Sequence, residues 1–285
     1  MKNIAWLGLG LIGLPMASRL AAAGWRVSGF DVNPERLKLA SQRRITAAAS
    51  AAAALDGAEF VFTSMPNEKV FVEVLSSLPT RATVIDTSTV GPQASAKVAA
   101  ALKGVAYLRA PISGSVGHAE SGQLTTFVSG PRAAFDAATE AFKAYTRAQF
   151  WVGEGEEARY AKLAVNLMVA VTAGMLKEAL ALGTKGGISW EKMLELIGES
   201  VVASPVVKYK QDPVRRHDYT PTATTSLVLK DVDLMVAAAK AERIDLPLAT
   251  VMQQLFRRAA EQASPSATFS ASWKARTRRA NQPSP

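Results

Sequence analysis

Three glycines at positions 8, 10 and 13, in the run Gly8-Leu9-Gly10-Leu11-Ile12-Gly13, limit what this chain can fold into more than any other feature. An apolar run, Asn3 to Gly8, precedes them, and a helix-forming stretch, Gly13 to Ala23, follows. In that setting each glycine has its own task. Gly8 permits the tight turn out of a strand, Gly10 lets backbone approach a pyrophosphate, and Gly13 allows a helix to pack closely with its N-terminus facing the phosphates. Asp31 ends the next apolar run, where adenosine ribose hydroxyls would be bound and a 2′-phosphate would be repelled. The reading is of a dinucleotide site that favours NAD, with NADP as the alternative. Arg36, Arg43 and Arg44 are close enough in sequence to hold an extra phosphate, although as solvated helix charges they need no ligand.

The same opening imitates a secretory leader, since Lys2 precedes the apolar run from Ile4 to Ala17 and small residues at Ala21 to Gly24. The glycine spacing and the interruption at Arg19 set that reading aside. No later segment reads as a transmembrane helix, and a soluble, cytoplasmic protein is expected. Without cysteine there is no disulfide framework, thiol nucleophile or thiolate metal site, and two histidines far apart in sequence give no reason to expect a metal. A surplus of 33 Lys+Arg over 24 Asp+Glu suits nucleic acid, a membrane surface or small anions alike. Part of it, Lys274, Arg276, Arg278 and Arg279, lies in a Pro/Ser-ended tail that reads as a solvated end. The expected partner is a small carboxylate, not nucleic acid or membrane.

Along the first half, short β-rich runs alternate with helical stretches, the pattern of a parallel sheet covered on both faces. Strands are predicted at Asn3 to Gly8, Arg26 to Asp31, Glu59 to Ser64, Ala82 to Thr87, Val105 to Arg109 and Thr125 to Ser129. Helices are predicted at Gly13 to Ala23, Pro34 to Arg43, Glu68 to Leu78, Pro92 to Leu102 and Pro131 to Tyr145, with the alanine tracts Ala47 to Ala54 and Ala99 to Ala101 also helical. Beyond Trp151 the strand-like alternation stops. A long apolar helix from Glu156 to Gly183 opens an all-helical second half. The fold class is therefore α/β, a Rossmann-like doubly wound sheet over residues 1–155 followed by an all-α domain over 156–285.

Lys162 is the only ionisable side chain from Ala161 to Leu176, in a stretch apolar all round, and such a helix is expected to be buried. Burying an ammonium is costly unless it is paired or gives up its proton, and ready loss of a proton is what a proton-transferring lysine needs. Asn166, four residues on, shares its face. A lysine snorkelling to water is the bland account. Met65-Pro66 and Ser88-Thr89 follow the third and fourth strands, where a dinucleotide cleft would lie or where plain turns would serve as well. Ser113-Gly114-Ser115 form a small loop whose free N–H groups would suit a carboxylate. Lys230 lies on a helical stripe with Leu227, Leu234 and Ala237, where snorkelling explains it at least as well as ligand binding.

These residues together resemble the β-hydroxyacid dehydrogenase family, collinearly over essentially the whole chain. Gly8 to Ala17 looks like its cofactor fingerprint, Ala110 to Ser115 like its substrate loop, Lys162 and Asn166 like its catalytic Lys and Asn, and Lys230-Asp231 like its late Lys-Asp pair. The resemblance implies hydride transfer between NAD(P) and a small 3-hydroxyacid or its semialdehyde. Lys162 would be the general acid/base and Asn166 would orient substrate. Ser113, Gly114 and Ser115 would hold its carboxylate, Met65, Pro66 and Thr89 would touch the cofactor, and Lys230 would close the site. It also implies an active site between the domains and assembly as a homodimer or homotetramer. The chain departs from the family pattern at Arg109 (commonly Asp), Ser115 (Gly), Val165 (Asn) and Ala223 (an aromatic). Arg109 then offers a fork-like partner for an extra anionic group on the substrate, or a solvent-facing cation. Two rivals stand beside this reading. One is an imine reductase of the same architecture, a class that typically lacks the lysine. The other is a non-catalytic module binding dinucleotide or nucleic acid.

Overall fold

The computed structural model describes residues 2–216 and 224–262, so Ala223 and the basic tail lie outside the described residues. The chain divides into two compact units, Met1–Lys162 and Leu163–Pro285.

In the first unit the order is β1 (Asn3–Leu7), α1 (Gly13–Ala22), β2 (Arg26–Phe30), α2 (Pro34–Ser41), β3 (Thr46–Ala47), α3 (Ala51–Leu55), β4 (Phe60–Thr63), α4 (Glu68–Ser76) and β5 (Thr83–Asp86). It continues through α5 (Pro92–Ala101), β6 (Tyr107–Arg109), β7 (Ile112–Ser113), α6 (Val116–Ser121), β8 (Leu124–Ser129), α7 (Arg132–Tyr145) and β9 (Thr146–Gly153). Among the described residues one sheet holds the nine strands in the order β3-β2-β1-β4-β5-β6-β8-β7, with β9 beside β8. The first six in space run parallel, β8 is antiparallel to β6 and β7, and β9 is parallel to β8. The strand order reverses between β1 and β4, and in open α/β sheets ligands bind outside the carboxyl ends of the strands at such a reversal.

Residue alternation along β1 explains the layering. Ile4 and Trp6 enter one core with Phe62, Phe142 and Tyr145, whereas Ala5 and Leu7 enter the other with Val61, Phe71 and Val84. Trp6 stacks on Phe62 with ring centroids 5.1 Å apart, and Tyr145 meets both edge-on. Asn33, Ser50 and Asn67 cap α2, α3 and α4 by accepting from backbone N–H groups of their first turns, and Pro34 and Pro92 occupy the first positions of α2 and α5. The Ala47 to Ala54 tract is helical only from Ala51, because Ala47 pairs with Gly29 in β3 and Ser50 starts the helix.

α8 (Glu157–Lys185) begins in the first unit and supplies the second, where α9 (Trp190–Glu199), α10 (Pro205–Arg215), α11 (Thr225–Ala241) and α12 (Pro247–Gln262) follow. Two small cores lie along it. Leu163 and Ala170 pack with Val232, Met235 and Phe256, and Leu176 and Leu180 pack with Leu194, Ile197 and Val207. The expectation of a helix buried all round is corrected here, since Met168, Met175 and Leu182 are 72%, 57% and 78% exposed. A second correction follows from the same helix. By length and composition α8 is apolar enough to cross a membrane, which the sequence reading did not pick out. Its buried residues serve the two cores.

Candidate active site

At the end of β1 the chain turns through Gly8, whose φ is +92°, and a Cβ there would come within 2.3 Å of the Ser64 carbonyl oxygen. A Cβ at Gly13 would come within 2.1 Å of the Gly8 carbonyl oxygen. Those two glycines are demanded by the chain's own backbone packing. Gly10 is different, because a Cβ there would meet nothing within 4 Å. Open space at the middle glycine, Leu11 exposed beside it, and an α1 N-terminus with no side-chain cap and no first-turn acid fit a pyrophosphate. Leu9 is buried and Ile12 half-buried. Asp31 fastens this turn to β2, its Oδ2 accepting from the Leu9 N–H at 2.7 Å and its Oδ1 from the Asn33 N–H at 2.8 Å. With two acceptor lone pairs per oxygen, capacity remains for a ribose hydroxyl.

Register brings Thr63, Asp86 and Arg109, the last residues of β4, β5 and β6, side by side. Asp86 is fully buried, and its Oδ1 accepts from Thr63 Oγ1 and Ser88 Oγ, each at 2.6 Å. Ser88 Oγ in turn accepts from the Met65 N–H at 2.7 Å, which ties the turns after β4 and β5 together. Gly91 N–H donates across the same two turns to Glu68 Oε1 at 2.7 Å. Pro66 is exposed and Thr89 half-buried in these turns. From the start of α8, Arg159 donates to Asp86 Oδ2, the Ser88 carbonyl, Ser95 Oγ and the Tyr107 hydroxyl. Burial is the largest influence on the Tyr107 phenol and pushes its pKa up to about 12, the nearby Arg159 opposing. Burial alone would lower the Arg159 pKa, but Tyr107 and Asp86 reverse the direction and hold the guanidinium charged.

Arg109 corrects the expectation of a solvent-facing cation. It is 7% exposed, so it does not face solvent, and Nε and Nη2 both donate to Glu156 Oε1 while the guanidinium lies 4.6 Å from the Tyr107 ring centroid. Two of its five N–H donors are thus spent on Glu156. Its partner lies 47 residues away in sequence.

The substrate loop is more structured than predicted, since Ile112 and Ser113 form β7 against Thr126 and Thr125. Gly114 has φ +141°, and a Cβ there would lie 2.6 Å from Leu124 Cδ2. Nor is the loop's N–H set all free. The Ser115 N–H donates to His118 Nδ1 at 3.2 Å, with Ser115 Oγ 2.8 Å from the same nitrogen. Ser115 thus serves as N-cap of α6.

Lys162, only 8% exposed, is one of the few buried ionisable residues, one helical turn beyond Arg159 on α8. In the second unit Asn166 Nδ2 donates to Asp231 Oδ2 at 2.9 Å, and Lys230 Nζ lies 3.0 Å from Asp231 Oδ1. A carboxylate only accepts, so the Asn166 amide nitrogen must be the end facing Asp231. Val165 is half-buried. Sequence reasoning missed Asp86, Arg159, Glu156 and His118. The signal for Arg159 was present, a second cation one turn before Lys162, but it falls just outside the apolar stretch.

The chain is similar to known proteins over most of its length. Residues 3–153 match the family model described as the NAD binding domain of 6-phosphogluconate dehydrogenase. Residues 156–275 match the one described as NAD-binding of NADP-dependent 3-hydroxyisobutyrate dehydrogenase. The chain is 31% identical over 272 residues to 3-hydroxyisobutyrate dehydrogenase of Pseudomonas aeruginosa, covering 90% of this chain and 91% of that one. It is 30% identical over 273 residues to the NAD-dependent L-serine dehydrogenase of the same organism, covering 90% and 92%. The solved structure of Mycobacterium tuberculosis 3-hydroxyisobutyrate dehydrogenase with L-serine has a TM-score of 0.86 at 27% identity, covering 96% of this chain and 99% of that one.

Proposed function

The chain belongs to the β-hydroxyacid dehydrogenase family and is an NAD(P)-dependent dehydrogenase, and from that premise we propose that Lys162 is the group that moves the proton in its reaction. In the oxidative direction the Lys162 amine takes the proton of the substrate's 3-hydroxyl, and in reduction the ammonium returns it to the carbonyl oxygen. The nicotinamide dinucleotide, when bound, would supply the hydride chemistry. Ser113 and Gly114 hold the substrate carboxylate, and Asn166, with its Nδ2 end turned to Asp231, offers Oδ1 to a substrate hydroxyl. Gly8, Gly10, Gly13, Asp31, Met65, Pro66 and Thr89 hold the dinucleotide, and the carboxylate of Asp31 favours NAD.

The observation that carries the assignment of Lys162 is the burial of its own side chain within an apolar stretch of α8. Lys162→Ala is expected to lower kcat by on the order of 10² to 10⁴ while NADH binding persists. Turnover close to that of the unaltered protein would end the assignment. The substrate is a small 3-hydroxyacid of the kind named in the relatives, 3-hydroxyisobutyrate or L-serine. A panel of such acids, their semialdehydes and one cyclic imine, read at the reduced nicotinamide band, ranks them. The working form is a homodimer or homotetramer, a reading supported by the seven-residue spacing of exposed Met168, Met175 and Leu182 along α8. The expected compartment is the cytoplasm.

A further inference from the structure

Arg159 has no solvent-exposed side-chain surface, and neither has its partner Asp86. Its guanidinium lies 5.6 Å from the Phe71 ring centroid and spends four hydrogen bonds on β5, the turn after β5, α5 and β6: Nη2 to Asp86 Oδ2 at 2.6 Å and Tyr107 Oη at 2.8 Å, Nη1 to the Ser88 carbonyl at 2.7 Å, and Nε to Ser95 Oγ at 3.2 Å. Through Asp86 Oδ1 and Ser88 Oγ the chain of bonds continues to the backbone N–H of Met65. One end of this network is therefore the pair of turns, at Met65 and at Ser88-Thr89, that hold the dinucleotide in the reading above. The other end is the first turn of α8, three residues before Lys162.

An enclosed ion pair is a poor device for holding a fold together, since apolar residues of similar volume often serve as well. What it does supply, and apolar contacts do not, is direction. Five N–H donors in a rigid plane fix the angle and depth of whatever carries them. We propose that Arg159 is a positioning residue for the reaction, setting the helical turn that carries Lys162 against the backbone turns that receive the dinucleotide. It touches neither substrate nor cofactor, because protein atoms enclose it. The proposal rests on the assignment of Lys162 to proton transfer.

Two variants test it, each with readouts that a purely structural role would not move. Arg159→Lys keeps a charge for Asp86 but cannot reach four acceptors at once, and Ser88→Ala leaves the ion pair whole while cutting the link from Asp86 to the Met65 N–H. Thermal unfolding establishes that each is folded. The dissociation constant for NADH, from nicotinamide fluorescence without turnover, and the pH profile of kcat are then compared with the unaltered protein. Both variants should bind NADH several-fold more weakly and show a displaced pH profile. Arg159→Lys should also lose on the order of tenfold to a hundredfold in kcat, the scale expected when reacting groups are misplaced by about an ångström. If Arg159→Lys does not fold, Ser88→Ala decides alone. Unchanged NADH affinity and an unchanged pH profile in the folded variants overturn the proposal. Failure of the Lys162 assignment would look different, as Lys162→Ala would keep its turnover whatever the Arg159 and Ser88 variants do to NADH binding.

Discussion

Each unit holds an acid–base pair beside residues assigned to the reaction, and the two pairs are built on opposite plans. In the sheet unit Asp86 and Arg159 are both 0% exposed at the side chain, and both carboxylate oxygens accept hydrogen bonds. In the helical unit Lys230 and Asp231 are 25% and 19% exposed, and Asp231 Oδ1 lies near the ammonium without accepting a hydrogen bond. A saturated, dry pair has no vacancy for a ligand, and its function is to fix backbone. A partly enclosed pair, one of whose acceptors has no hydrogen-bond partner, has capacity for a ligand that the saturated pair lacks.

The sharpest way to break that contrast is to remove one cation from each pair. Arg159→Met should destabilise the protein by about 3–5 kcal/mol, because Asp86 is left buried and unpaired, whereas Lys230→Met should cost only about 0–1 kcal/mol. Equal losses by denaturant unfolding would erase the distinction. Next in size is alkaline unfolding. The Tyr107 phenol has a pKa of about 12 folded against 10.0 unfolded, so above pH 10 the unfolded chain loses its proton first. Stability is then full below pH 10 and falls as pH rises toward 12, by up to about 3 kcal/mol from this group. Tyr107→Phe should flatten that limb in a urea titration run across the range. A smaller effect, about 1 kcal/mol, is expected for Asp231→Leu, which leaves the Asn166 amide without its carboxylate. Its kcat/KM should fall much further than its stability, and a stability loss as large as that of Arg159→Met would mean that both pairs are structural. Smallest of all, Met168→Lys should change chain stability by less than about 0.5 kcal/mol yet shift the sedimentation of the native protein toward the monomer.

What could be read from sequence follows from how local its cause is. The glycine turn, β1, β2, β4 and β5 were legible because each is declared by adjacent residues, and so was α8, whose apolar run could be nothing but a long helix. β3 and β7 were missed because two-residue strands, Thr46–Ala47 and Ile112–Ser113, cannot show a period. β9 escaped for another reason. α7 ends at Tyr145 and β9 starts at Thr146, with no glycine or proline between them to mark the change. The exposed stripe of α8 was illegible because an apolar residue looks the same in sequence whether it lines a core or a face awaiting a partner. Arg109 was misread since nothing near it announces Glu156. Lys162 stood out as a charge in an apolar stretch, while Arg159, more deeply buried, stood among Glu156, Glu157 and Tyr160 and looked like surface.

Asp31 carries a consequence for anyone wishing to retune this dehydrogenase. Its carboxylate is the latch of the glycine turn, gripping the amides of Leu9 and Asn33, and in the proposed reading it also receives the ribose. Swapping it for a small neutral residue to welcome a 2′-phosphate would therefore also unfasten the loop proposed to carry the pyrophosphate. Exchange of cofactor here needs two changes made together, one to admit the new charge and another to give the Leu9 amide a replacement acceptor.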